Sequence, residues 1–114
     1  MKNLDEIKNL VTLNGGATLT HKGEMIALDT GFMVSLADCE TITTLDAFDE
    51  KLFKTYLKLA RKKKAYFGAW NDNGQLYLDI SIRIADKATA RKIGKKNNQL
   101  AIFDLSKCES IYLK

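Results

Sequence analysis

The stretch Leu76–Ile84 constrains the fold of this chain more than any other. Leu76, Leu78, Ile80, Ile82 and Ile84 alternate with Tyr77, Asp79, Ser81 and Arg83. Period two over nine residues predicts a strand with one buried face and one other face. Asn71-Asp72-Asn73-Gly74 joins it to a second β-rich run, Ala65–Trp70. Asn-Gly is the favoured centre of a type I′ turn, because both residues tolerate positive φ. With Asn73 and Gly74 at that centre, Trp70 faces Tyr77, Gly68 faces Asp79 and Phe67 faces Ile80. Phe67 and Ala69 then join the aliphatic face, and Tyr66, Trp70 and Tyr77 share the opposite one.

Helices flank this hairpin. Leu4, Ile7, Leu10 and Val11 recur at helical spacing over residues 3–13, with Asp5 and Glu6 in the first turn and Asn14-Gly15-Gly16 as the stop. The longest helix follows a cap at Thr43 or Thr44, with Asp46, Asp49 and Glu50 near its start. Phe48, Leu52, Tyr56, Leu59 and Ala60 form its apolar stripe. Lys51, Lys54, Lys58 and Lys62 form another, and the helix ends in Arg61-Lys62-Lys63-Lys64. Asp86 caps a third helix running to about Lys96, with Ala88, Ala90 and Ile93 inward and Asn97-Asn98 as the C-cap. Between the first two helices, Ala17–Thr20 and Glu24–Leu28 read as a hairpin around His21-Lys22-Gly23. Phe32–Leu36 reads as a third strand and Ala37–Thr43 as a polar connection. Leu100–Leu105 and Ser110–Leu113 close the chain as two strands turned at Ser106-Lys107. The expected fold is α+β, a largely antiparallel sheet built from hairpins with one long and two shorter helices. At 114 residues, a single domain over 1–114 is expected.

Charge is uneven along the chain. Residues 1–50 hold three lysines against nine acids, and residues 51–114 hold fifteen cations against five acids. Such a split marks either a basic face toward an anionic partner or a mixed surface whose halves interleave on folding. No apolar run reaches the roughly 20 residues of a membrane span. The N-terminal residues lack the apolar stretch of a secretion signal, so a cytoplasmic protein is expected.

Catalytic constellations are not expected. The one histidine, His21, falls at a predicted turn. No second His, Cys–His pair or serine elbow supplies a triad. Asp38 and Glu40 bracket Cys39, which disfavours its thiolate. Cys39 and Cys108 stand far apart without paired Cys/His spacing, so neither a zinc framework nor any other metal or cofactor is expected. Two buried thiols in a reducing compartment are the expectation, with a disulfide as the alternative. Gly15-Gly16 precedes a strand, so it is no phosphate loop. Asp46, Asp49 and Glu50 read as complements to a helix dipole.

Binding is better supported. Lys51, Lys54, Lys58, Arg61, Lys62, Lys63 and Lys64 line one helix, and Arg91, Lys92, Lys95 and Lys96 line another alongside Lys87. Tyr66, Trp70 and Tyr77 share a sheet face with Arg83. Aromatic side chains there stack bases, anchor a protein interface, or lie under a helix as a second core layer.

Four phrases carry a resemblance: Asn14-Gly15-Gly16-Ala17-Thr18; Gly31-Phe32-Met33-Val34; Phe67-Gly68-Ala69-Trp70 with Gly74–Asp79; and Asn98–Leu105. With these the chain resembles small accessory proteins of bacterial plasmids, conjugative elements and phages. Some similar proteins are anti-CRISPR inhibitors of type II effectors such as Cas9. The resemblance runs over nearly the whole chain after residue 14, and its motifs are turns and strand ends. It implies a non-enzymatic antagonist of host defence, acting in the bacterial cytoplasm on a Cas effector or its guide RNA. Many such inhibitors are acidic nucleic-acid mimics; the basic charge of this chain departs from that pattern. A nucleic-acid-binding module using the basic helix faces and sheet aromatics is the alternative.

Overall fold

The computed structural model describes residues 2–24, 30–107 and 109–113. Among the described residues three helices and seven strands form an α+β fold, its antiparallel sheet ordered β1-β4-β5-β2-β6-β7 with β3 also paired to β5. The elements are α1 (Leu4–Asn14), β1 (Gly16–Leu19), β2 (Phe32–Ser35), β3 (Thr41–Thr43), α2 (Glu50–Lys63), β4 (Tyr66–Asp72), β5 (Gln75–Ile84), α3 (Lys87–Lys96), β6 (Ala101–Asp104) and β7 (Glu109–Tyr112). Two compact units are present. One comprises Met1–Ile26 and Glu40–Ile80, the other Ala27–Cys39 and Ser81–Lys114, and β5 contributes to both.

In the first unit, Asn3 caps α1 reciprocally with Glu6: the Glu6 amide donates to Asn3 Oδ1 at 2.9 Å, and the Asn3 amide to Glu6 Oε1 at 3.2 Å. Gly15 ends the helix in the left-handed conformation, as the sequence predicts. The β4–β5 hairpin turns on Asn73 (φ 52°) and Gly74 (φ 78°), both in the left-handed region that a type I′ turn demands. β1 lies antiparallel to β4, with Ala17 opposite Ala69 and Leu19 opposite Phe67. Phe67 is fully buried among the rings of Phe48, Phe53 and Tyr56, at centroid distances of 6.2, 6.1 and 5.3 Å. These edge-on and tilted contacts seat α2 on the Phe67 face of the sheet.

Two expectations are corrected in this unit. First, α2 begins at Glu50, not after Thr44. Asp49 is its N-cap, accepting from the Leu52 amide at 2.9 Å, while Thr44 closes a separate turn that receives the Phe48 amide. The buried stripe is consequently Phe53, Tyr56, Leu57 and Ala60. Leu52 and Leu59 are only half-buried, and Phe48 is buried ahead of the helix. Second, the polar connection contains β3. Thr41, Ile42 and Thr43 pair with Leu78, Tyr77 and Leu76, and Thr41 Oγ1 accepts a 2.5 Å hydrogen bond from the Tyr56 hydroxyl. The turn His21-Lys22-Gly23 is present, the Thr20 amide donating to the Glu24 carbonyl at 2.8 Å. The strand expected after it, through Leu28, lies outside the described residues from Met25 on, as does Cys108.

In the second unit β2 lies between β5 and β6, with Val34 opposite Ile82 and Met33 opposite Arg83 and Phe103. Val34, Ala90, Ile102 and Leu113 form its core. α3 presents Ala90 and Gly94 inward; a Cβ on Gly94 would come within 2.7 Å of Leu113 and 2.9 Å of Ile102, so the small residue lets the helix lie close to the sheet. Ala88, expected inward, is exposed. It sits two residues from Ala90, about 200° around the helix. At the C-terminus Asn97 has φ −93° and Asn98 takes the left-handed position. The β6–β7 turn is held by Asp104, whose Oδ1 accepts from the Ser106 hydroxyl at 2.8 Å and from two backbone amides.

Candidate functional site

All seven cations from Lys51 to Lys64 are exposed. Their helix packs its other side on Phe67, so they face away from the sheet. Among the described residues the one salt bridge joins Lys2 to Glu6 at 3.5 Å, and none involves this helix. Lys51–Lys54, Lys54–Lys58, Lys58–Arg61 and Lys58–Lys62 are like-charge neighbours at three- or four-residue spacing, each costing about 0.2–0.5 kcal/mol. The Glu50 carboxylate, one turn before Lys54, is the sole acid within the helix.

A structural reason for these cations accounts for only part of the set. Charge in the last turn complements the helix dipole, which covers Arg61, Lys62 and Lys63 but not Lys51, Lys54 or Lys58. Two of the last four carbonyls have backbone partners already: the Ala65 amide donates to the Ala60 carbonyl at 2.9 Å, and the Lys64 amide to Arg61 at 3.3 Å. Lys64 also occupies the left-handed cap at φ 52°, where glycine avoids the Cβ penalty. A lysine is thus kept where a neutral, smaller residue fits the backbone better. No exposed apolar side chain interrupts the surface, since Leu52 and Leu59 are half-buried.

The aromatic face lies on the other side of the same hairpin. Trp70 is 45% exposed, while Tyr66 and Tyr77 are half-buried. A Cβ on Gly16 would overlap the Trp70 benzo ring, and one on Gly68 would strike the Asp79 carboxylate and come within 2.9 Å of Trp70 Nε1. The two glycines therefore form a floor on which the indole lies. Ile42 of β3, 53% exposed, stands opposite Tyr77. Sequence reasoning missed it because Ala37–Thr43 reads as a connection; the alternation Thr-Ile-Thr was the available signal. The helix cations and the sheet aromatics do not share one surface. β4 separates them within the first unit, because Phe67 and Trp70 sit on opposite faces of the strand.

In the second unit Lys87, Lys92, Lys95 and Lys96 are exposed and Arg91 is half-buried. Arg83 has a structural task there, donating from Nε to the Thr30 carbonyl at 2.7 Å and from Nη2 to Thr30 Oγ1 at 2.9 Å. Folding redistributes the charge that is so uneven along the chain. The described residues of the first unit hold ten cations against nine acids, and those of the second seven against four. The basic character is therefore local to helix faces. Cys39 is buried. Among the described residues no cluster of His, Cys, Asp and Glu is arranged to hold a metal, and no helix is long and apolar enough to cross a membrane. No protein-family model, curated protein or solved structure matches the chain.

Proposed function

We propose that this chain is a non-enzymatic binding protein that engages the phosphate backbone of duplex nucleic acid through the solvent face of α2. The observation carrying this reading is the run of seven exposed cations without salt bridges among the described residues. Two features favour phosphate over an acidic protein. Protein interfaces need an apolar or aromatic centre, and this face has none exposed. Backbone contacts need only charge, and they leave sequence unread. Duplex is favoured over single strand because the aromatic side chains that would stack on bases lie behind the sheet from these cations. In the setting implied by the resemblance to mobile-element proteins, the bound duplex is the folded guide RNA of a type II CRISPR effector. The protein would then antagonise that effector by covering its RNA.

Fluorescence anisotropy with a 20-base-pair duplex RNA tests the binding. If five to seven cations each meet a phosphate, log K falls against log salt with a slope of about −4 to −6. Affinity then drops roughly 10³-fold between about 50 and 200 mM salt. Absence of binding at the lower salt concentration would refute the reading. A plasmid-interference assay with Cas9, with and without the protein, tests the antagonism; unchanged interference across several Cas9 orthologues would remove it.

A further inference from the structure

The second unit carries a basic helix of its own. α3 holds Lys87, Arg91, Lys92, Lys95 and Lys96 within ten residues and no acid between its caps. Lys87, Arg91 and Lys95 follow one another at four-residue spacing, with Lys92 and Lys96 in the adjacent row. None makes a salt bridge among the described residues. We infer that α3 is a second surface for duplex phosphate backbone, built on residues other than those of α2. The inference rests on the phosphate-binding reading of α2 for its partner class but on different residues.

Structural reasons cover only part of the α3 cations: Lys95 and Lys96 lie in the last turn, where positive charge complements the dipole, but Lys87, Arg91 and Lys92 do not. Lys87 is the first residue of the helix, where the dipole disfavours positive charge, and the first turn contains no acid. At the other end three of the last four carbonyls are already occupied. The Asn97 amide and Asn97 Nδ2 donate to Ile93, the Asn98 amide to Lys95, and the Gln99 amide to Gly94. Asn97 Oδ1 in turn accepts from the Ala37 amide at 3.0 Å, tying this end to the unit. Ala90 and Gly94 hold the inner side against Ile102, Val34 and Leu113. The basic rows are thus held on the outside of a fixed helix. Lys87, Ala88, Thr89, Lys92, Lys95 and Lys96 form the exposed surface, without an aromatic or large apolar group. Charge complementarity with no apolar anchor selects phosphate over a protein partner. The lack of any stacking side chain selects duplex over single strand.

The test compares wild type, an α3 variant (Arg91→Gln, Lys92→Gln, Lys95→Gln) and an α2 variant (Lys54→Gln, Lys58→Gln, Lys62→Gln) on a 20-base-pair duplex RNA of mixed sequence. Circular dichroism checks each fold. The inference expects the α3 variant to flatten the salt slope by about two to three, with at least a tenfold loss of affinity at about 100 mM salt. The α2 variant should do the same independently. A second measurement needs no substitution: acetylation of Lys87, Lys92, Lys95 and Lys96 in the wild-type protein should slow at least fivefold with duplex bound. An unchanged slope in the folded α3 variant, or unchanged acetylation, overturns the inference while leaving α2 intact. Wild-type failure to bind overturns both. Equal affinity for polyglutamate would show a surface for acidic chains and would overturn the assignment to phosphate. Tighter binding to single-stranded than to duplex RNA would overturn the choice of duplex.

Discussion

Reversing one charge on α2 should stabilise the protein and weaken its binding. Lys58 is exposed and stands at helical spacing from Lys54, Arg61 and Lys62. Lys58→Glu turns three repulsive pairs into attractive ones. Each pair then shifts by about 0.4–1 kcal/mol, twice the ~0.2–0.5 kcal/mol of a single helical charge pair. One pair has the better order, Glu before Lys at four residues; the Lys54 pair has the poorer one. Screening at physiological salt takes the total to the low end, about 1 kcal/mol. The position lies ahead of the last turn, so the dipole offsets little of this, and Lys and Glu have similar helix propensity. A gain of about 1 kcal/mol raises the melting temperature of a domain this size by about 3–6 °C. Thermal unfolding at about 20 and 500 mM salt checks both the gain and its cause, because high salt should erase it. Duplex affinity should fall at least tenfold in the same variant. A melting temperature that stays level or drops at low salt would show that these lysines do not strain the helix. Lysines that do not strain the helix need no anionic partner to explain them.

Other outcomes follow from the same geometry. Lys64→Gly relieves a left-handed lysine and should stabilise by up to about 1 kcal/mol in chemical denaturation, with a shallower salt slope for duplex binding. Phe67→Ala removes a fully buried ring in contact with three others and should cost about 3–5 kcal/mol. Gly16→Ala forces the Trp70 indole off its floor and should cost about 1–3 kcal/mol; paired with Trp70→Ala, the losses should be less than additive in a double-mutant cycle. The Thr89 hydroxyl and amide hold the Asp86 carboxyl below its ordinary range, and the Ser106 hydroxyl does so for Asp104. Their stabilisation is full above the unfolded carboxylate range near pH ~4 and is lost as pH falls through the lowered folded values. Stability measured from neutral pH into acid should therefore hold until about pH 4 and then decline; Asp86→Asn, which can still cap α3, should soften that decline.

The sequence disclosed most about elements whose cause is local. The Asn73-Gly74 turn, the Gly15 stop and the Asp86 cap each depend on residues within a few positions, and each stands where the pattern places it. The α2 boundary was less legible because Thr44 and Asp49 both have capping chemistry. Packing decides between them: Phe48 is drawn into the ring cluster and the chain turns once before the helix starts. That delay, with Phe53 and Leu57 facing the sheet, rotates the buried stripe by about one residue. β3 was only faintly legible, for another reason. Three residues carry little periodicity, and the strand exists because β5 offers it a partner.

The candidate site divides along the same line. Which residues are cationic or aromatic is plain from the sequence; which of them share a surface depends on strand parity and helix seating. Phe67 and Trp70 are three apart, so they point to opposite faces of β4, and the contact of α2 with Phe67 assigns the helix to one of those faces. Its lysines must then lie across the sheet from the indole. A single compact surface therefore cannot both neutralise phosphates with α2 and stack bases on Trp70 within this unit. Base stacking would require a nucleic-acid strand to pass around the hairpin, whereas backbone contact requires only a duplex groove laid along the helix. The charge pattern points the same way. The first unit is nearly balanced, ten cations to nine acids among its described residues, yet seven of those cations stand between Lys51 and Lys64. Under the proposed reading, any attraction of this unit to phosphate is a short-range property of its α2 face, and it should be sensitive to substitutions there and to salt.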